Sequence, residues 1–108
     1  MRKLQHRLHV LIYPAPDLAG QWVAHCLDLD LVSQGSSATH ALEMIAEAVQ
    51  LSVQWAIEEG RPPLEMRPAP AEEWDRFEKN KIAVTRILHL PQMPSDVVLE
   101  PVTIARAL

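Results

Sequence analysis

Hydrophobic and polar residues alternate over residues 6–13, which predicts a first β-strand packed on both faces at its centre. Two prolines and Gly20 then predict a turn before a second strand over residues 21–27. After a bend at residues 28–30, the same alternation predicts a short third strand over residues 28–34. These three segments are expected to form an antiparallel meander.

The period of the hydrophobic pattern changes after Gly35 from that of a strand to that of a helix. An amphipathic helix is predicted over residues 38–59, with Ser36 or Ser37 as its N-cap and Gly60 as its left-handed C-terminal cap. One stripe of this helix is expected to face the sheet, and it consists of Ala38, Ala41, Leu42, Ile45, Ala46, Val49, Ser52, Val53, Ala56 and Ile57.

A second apolar stripe lies on the same helix and consists of Met44, Ala48, Leu51 and Trp55, spaced by four, three and four residues. A single-layer sheet cannot cover both stripes. Large exposed apolar patches mark interfaces, so the second stripe needs cover from the C-terminal third of the chain, from another subunit or from a different protein.

The C-terminal third predicts fewer and shorter elements. Residues 61–70 contain four prolines and are expected to form an extended connector to a short helix over residues 71–79. Strands are predicted over residues 82–90 and 97–105, and Pro101 marks the second as an edge or bulged strand.

The predicted fold class is α+β: a three-stranded antiparallel meander packed on one long helix, with a C-terminal short helix and one or two extra strands. Residues 1–60 are expected to form the core, and residues 61–108 an extension of the same domain.

The composition and net charge of the chain limit the classes of function that it can have. The 108 residues suffice for one domain, and the single cysteine, Cys26, excludes an internal disulfide and favours a reducing cytoplasm. A net charge of −4 is unlike the basic field of nucleic-acid-binding proteins and suits a basic partner. No apolar run is long enough to span a membrane. The chain is therefore expected to be a cytoplasmic protein without membrane contact.

Candidate catalytic groups are few. Asp28 and Asp30 would project to one side of a regular strand and could hold a divalent metal, yet the first strand offers no acidic partner. The alternative interpretations are that the two carboxylates cap local backbone amides or that they contact a basic partner. His25 and Cys26 are adjacent and point to opposite faces, so they cannot form a nucleophile–base pair, and Cys26 is expected to be a buried apolar residue. We therefore expect no catalytic residues, metal or cofactor.

The segment CLDLDLVSQG at residues 26–35, followed by Ser37 and Ala41-Leu42, resembles the HicB antitoxin family, whose members have a partial RNase H fold. The resemblance covers roughly residues 6–60. In the family, the helix begins with a capping box whose second member is Glu, and His40 stands at that position here. Residues 61–108 show neither the ribbon-helix-helix nor the helix-turn-helix module that many members use to bind their operator, so operator binding is not expected.

The resemblance implies a non-enzymatic protein that covers the active surface of a small basic HicA-like mRNA-cleaving toxin and forms a dimer or higher homo-oligomer. The alternatives are an orphan self-associating structural or regulatory domain and a degenerate nuclease. Trp22 is expected either to anchor the core or to serve an interface. The residues predicted to contact a partner or a subunit are Trp22, Asp28, Asp30, Met44, Leu51 and Trp55.

Overall fold

The computed structural model describes residues 5–80, 86–88 and 96–103, and these residues form an α+β fold. Five described strands make one sheet in the order β3-β2-β1-β5-β4. The first three form the predicted antiparallel meander, β5 runs parallel to β1, and β4 runs antiparallel to β5. The predicted fold class is confirmed, while the outer ends of the strands predicted over residues 82–90 and 97–105 lie outside the described residues. The elements are β1 (Gln5–Pro14), β2 (Trp22–Cys26), β3 (Leu31–Gly35), α1 (Ala38–Glu58), α2 (Ala71–Lys79), β4 (Arg86–Leu88) and β5 (Asp96–Thr103).

The two helices lie on opposite faces of the sheet. Neighbouring strand residues point to opposite faces, and Val10 and Leu11 of β1 are both fully buried, each in a different apolar cluster. The prediction that the centre of β1 is packed on both faces is thus confirmed. The α1 cluster includes Leu8, Val10, Ile12, Ala24, Cys26, Ala41, Ile45, Val49, Val53 and Leu99. The α2 cluster comprises Leu11, Leu27, Ala69, Phe77 and Val102, with Tyr13 and Trp74 packed against it.

Hydrogen bonds at both ends of α1 explain its bounds. The Ser37 hydroxyl accepts from the backbone N–H of His40 at 3.0 Å, and the ring Nδ1 of His40 accepts from the backbone N–H of Ser36 at 2.9 Å. This reciprocal pair resembles a capping box shifted by one residue, with imidazole as the second acceptor. At the other end Gly60 has a φ of +69°, and the backbone N–H of Arg61 donates to the Ala56 carbonyl at 2.7 Å. The predicted left-handed cap is confirmed as a Schellman motif.

Gly35 is where β3 meets the first turn of α1. A Cβ at this position would lie 2.4 Å from the backbone nitrogen of Ala41 and 2.7 Å from the carbonyl carbon of His40. Both are backbone atoms that cannot rotate away, so only glycine permits this close approach. The glycine therefore fixes the position of α1 over the edge of the sheet.

The turn at residues 27–30 organises the path of the chain after α1. The backbone N–H of Leu27 donates to the His9 carbonyl, so the turn continues the contact between β1 and β2. The connector then pairs with this turn, because Arg67 donates to the Asp28 carbonyl at 2.8 Å and Ala69 to the Leu27 carbonyl at 2.7 Å. These bonds hold the proline-rich connector in place and lead the chain to the face that α2 covers.

Two predicted features of the strands need correction. β3 begins at Leu31 and not at residue 28, because residues 27–30 form a turn in which Asp30 has a φ of +52°. β5 is not an edge strand, because it lies between β1 and β4. The described part of β4 pairs only with residues 97–99, so Pro101 faces β1 alone and its missing N–H breaks no described bond to β4.

Candidate protein-binding surface

The second apolar stripe of α1 lies on the outside of the described structure. Leu51 is 58% exposed and Trp55 is 53% exposed, while Met44 and Ala48 are half-buried. Helix α2 packs against the opposite face of the sheet, so it does not shelter this stripe. The connector that follows α1 reaches one end of the stripe, because Arg61 lies over the Trp55 ring, but both Leu51 and Trp55 stay more than half exposed. Of the three covers considered for the stripe, the described part of the C-terminal third therefore supplies only a part.

Trp55 stands at the mouth of a cleft of about 160 Å³ between α1, the start of β3 and the connector. Leu31 of β3 and Ser52 of α1 line the same cleft, and the Arg61 guanidinium lies 5.6 Å from the centre of the Trp55 ring. The C-terminal end of the stripe consequently lies beside the start of β3 and the connector.

The outer edge of β3 carries no other described strand. Among the described strands, β3 pairs with β2 alone. Its residues, Leu31–Gly35, include no charged side chain and no proline, and Val32 is 57% exposed. Natural edge strands are commonly protected by charges, prolines or bulges. β3 has neither of the first two protections, although at five residues it is short.

Charge on α1 is of one sign. The helix contains Glu43, Glu47 and Glu58 and neither lysine nor arginine. Glu43 and Glu47 are exposed, and neither forms a salt bridge with another residue that the structure describes. At 100° per residue, these two carboxylates project from the flank of the helix away from the cleft. The apolar stripe is thus bordered by an acidic row.

The predicted Asp28–Asp30 pair does not form. Asp28 is 3% exposed, and its carboxylate accepts from the backbone N–H of His9 and lies 3.1 Å from His9 Nδ1. Asp30 is exposed and lies 2.6 Å from His25 Nε2. The expectation of two carboxylates on one side assumed a regular strand, and the turn separates them. Asp28 belongs to the interior and is not available to a partner, whereas Asp30 remains at the surface.

His9 is the centre of a polar cluster on the α2 face. Its ring lies 5.2 Å from the rings of both Trp74 and Phe77, and its Nε2 is 3.4 Å from Glu100, which also pairs with Arg7 at 2.6 Å. The sequence pattern did not identify this cluster, because it depends on the parallel pairing of β1 with β5. It joins β1, β5 and α2, so we assign it to the stability of the fold.

The remaining candidates also lie in the structural core. Cys26 is fully buried, and this burial raises the pKa of its thiol to about 12, so it is the predicted apolar residue and a poor nucleophile. Trp22 is half-buried and packs against the α1 cluster. Within the described ranges, no group of three or more His, Cys, Asp or Glu side chains is arranged to hold a metal ion.

Comparisons with known proteins leave the family open. No family model matches the chain, and neither the curated proteins nor the solved structures gave a match. Among the helices that the structure describes, none is long and apolar enough to cross a bilayer. The surface of the molecule itself is therefore the basis for assigning a function.

Proposed function

We propose that this chain is a non-enzymatic protein-binding domain that acts as a HicB-like antitoxin and covers the active surface of a small basic HicA-like toxin. The observation that carries the proposal is the outer side of α1, where an exposed apolar stripe runs beside carboxylates that no described cation neutralises. Apolar contact supplies affinity, and a row of one charge favours a partner of the opposite charge.

The mechanism would be steric occlusion. A toxin that cleaves mRNA needs a basic surface to hold phosphates, and the acidic row of Glu43 and Glu47 complements such a surface. The antitoxin needs no catalytic group for this task. The buried, protonated Cys26 and the interior position of Asp28 suit a domain that binds and does not react. The single cysteine suits a reducing cytoplasm.

A growth assay tests the proposal. The chain is co-expressed with the product of a short basic reading frame next to its gene, and we expect it to relieve the growth arrest that this product causes. Glu47→Lys should weaken the rescue, because it places a like charge against the basic partner. Glu78→Lys is the matched control, because it makes the same charge change at an exposed position of α2 on the other face. Rescue that is equally strong with both variants would contradict the proposed surface.

A second candidate function is an orphan self-associating structural or regulatory domain. The free edge of β3 beside the apolar stripe favours it, because both features can pair with a copy of themselves. Absence of any toxic neighbouring product, together with a stable homo-oligomer, would favour this function over the antitoxin.

A further inference from the structure

We propose that the cleft beside Trp55 is a binding site for a small aromatic carboxylate, a molecule with a single ring that carries one carboxylate group. The inference does not depend on the proposed function, because Trp55 is the only residue of the apolar stripe that lines the cleft. The site is at the C-terminal end of α1, whereas Glu43 and Glu47 lie in the N-terminal half of the helix.

The charge of the cleft is opposite to that of the chain as a whole. Two guanidinium groups, from Arg61 and Arg67, and one carboxylate, from Glu65, line the cleft, whereas the chain has a net charge of −4. Glu65 is 3.9 Å from Arg67, a long distance for an ion pair, and both side chains are more than half exposed, so their contact is weak. The surplus positive charge favours an anionic ligand.

Backbone hydrogen bonds fix the positions from which the two arginines reach the cleft. The N–H of Arg61 donates to the Ala56 carbonyl at 2.7 Å, and the N–H of Arg67 donates to the Asp28 carbonyl at 2.8 Å. The Arg61 guanidinium also lies 5.6 Å from the centre of the Trp55 ring, within the range of a cation–π contact. A guanidinium presents its N–H donors as a fork that matches the two oxygens of a carboxylate. The arginines are therefore placed to bind this group.

The other walls of the cleft are largely apolar and favour a ring. Leu29 and Leu31 line it from the side of the sheet, Trp55 from α1, and Pro62 and Pro63 from the connector. An aromatic ring gains stacked or edge-to-face contact with tryptophan, and its burial among apolar side chains adds affinity. An anion without a ring, such as acetate or phosphate, gains neither contribution.

The size of the cleft limits the ligand to one ring. Its volume is about 160 Å³, close to the roughly 150 Å³ of an engineered apolar cavity that holds one benzene molecule. Sites for drug-sized molecules occupy about 300–1,000 Å³, so this cleft is too small for a nucleotide. The Ser52 hydroxyl also lines the cleft and can donate to a carboxylate oxygen. A single ring with one carboxylate thus fits the cleft in size, charge and polarity.

Fluorescence titration of the full chain with benzoate tests the inference. We expect a saturable change in tryptophan fluorescence with a Kd of about 1 mM or below. Trp55→Phe should abolish this change, because Trp22 and Trp74 do not line the cleft. Benzamide, which has the ring without the charge, and acetate, which has the charge without the ring, should each bind at least about tenfold more weakly. Equal binding of benzoate and benzamide, or no saturation by benzoate, would overturn the proposed site.

Charge variants provide a second test, in which the expected effects have opposite signs. Arg61→Gln and Arg67→Gln should each raise the Kd for benzoate by about fivefold or more, because each removes charge-assisted hydrogen bonds. Glu65→Gln should lower this Kd by about twofold, because it removes the competing carboxylate. Arg7→Gln and Glu78→Gln are the matched controls, at exposed positions on the other face of the sheet, and they should leave the Kd unchanged.

Circular dichroism checks that every variant is folded, and each substitution keeps the backbone N–H of its residue. Binding that is unaffected by both arginine variants, or weakened by Glu65→Gln, would contradict the assigned roles. None of these measurements uses growth rescue, so failure of the ligand site and failure of the antitoxin function can be told apart.

Discussion

The carboxylate of Asp28 accepts a hydrogen bond from the backbone N–H of His9 and contacts the ring of the same residue. The Asp28 carboxylate thus takes the place of a backbone carbonyl as the acceptor for the His9 N–H, at the point where β2 turns away from β1. Because the carbonyl of Asp28 also accepts from Arg67, this residue joins the first strand to the connector that follows α1. It holds together segments that are distant in the sequence.

Asp28→Ala is expected to lower the free energy of unfolding by about 1–3 kcal/mol, because it leaves the part-buried His9 amide without its acceptor. Urea denaturation measures the change. Asp30→Asn is the matched control: it keeps a residue type that tolerates a positive φ and an oxygen that can accept from His25 Nε2. Because Asp30 is exposed, the cost should be below about 1 kcal/mol. Equal stability of Asp28→Ala and the wild-type chain would contradict the assigned role.

Gly35→Ala is expected to destabilise the chain by more than about 3 kcal/mol, because the new Cβ overlaps the backbone of Ala41 and forces β3 and α1 apart. The comparison is Gly20→Ala, at a φ of +78° with open space around the Cβ, where the expected cost is about 1–2 kcal/mol of backbone strain. Thermal denaturation followed by circular dichroism measures both. A smaller loss for Gly35→Ala than for Gly20→Ala would contradict the close approach.

The buried thiol of Cys26 predicts a dependence of stability on pH. Its pKa is raised from 9.0 to about 12 in the folded chain. Above pH 9 the unfolded chain loses this proton while the folded chain retains it, so the unfolded state binds fewer protons and the free energy of unfolding falls as pH rises. The expected slope from this group is about 1.4 kcal/mol per pH unit between pH 9 and 12.

Urea denaturation at several values of pH between 8 and 10.5 measures that slope. Cys26→Ala loses stability at every pH because of the smaller side chain, but it should lack the contribution of the thiol. The difference in slope between the two chains therefore isolates Cys26 from other groups that titrate in this range. Parallel slopes would show that the thiol ionises as readily in the folded chain as in the unfolded one.

Two adjacent serines at the N-terminus of α1 are expected to differ in how much their side chains stabilise the helix. Ser37→Ala should lower the free energy of unfolding by about 1 kcal/mol, because the backbone N–H of His40 loses its acceptor. Ser36→Ala keeps the backbone N–H that donates to His40 Nδ1, so its cost should be below about 0.5 kcal/mol. Chemical denaturation of both variants provides the comparison, and the reverse order of stability would assign the cap to Ser36.

The local pattern of hydrophobic residues was sufficient to predict the elements whose residues are close in the sequence. The stripe period bounded α1 to within one residue, and Gly60 marked its end because only a left-handed residue completes that cap. The second stripe could be identified for the same reason, since Leu51 and Trp55 belong to a face that the sheet does not need. The sequence pattern alone could not determine which surface would shelter them.

Contacts between distant segments leave no local pattern in the sequence. The parallel pairing of β1 with β5 brings Glu100 beside His9, and no periodicity indicates it. Asp28 was predicted to contact a partner because Asp28 and Asp30 would project to one side of a regular strand, whereas the turn directs the Asp28 carboxylate inward. The exposed edge of β3 also follows only from the strand order, because the same residues would be covered in the middle of a sheet.

The melting temperature of the full chain over a hundredfold range of protein concentration most directly tests whether a second copy of the chain shelters Leu51 and Trp55, as the self-associating domain requires, or leaves them for a different protein. Association stabilises the folded chain by mass action, so the wild-type chain should melt at a higher temperature as its concentration rises. Trp55→Glu should melt at one temperature throughout that range. A wild-type melting temperature that does not change with concentration would show that no second copy shelters Leu51 and Trp55.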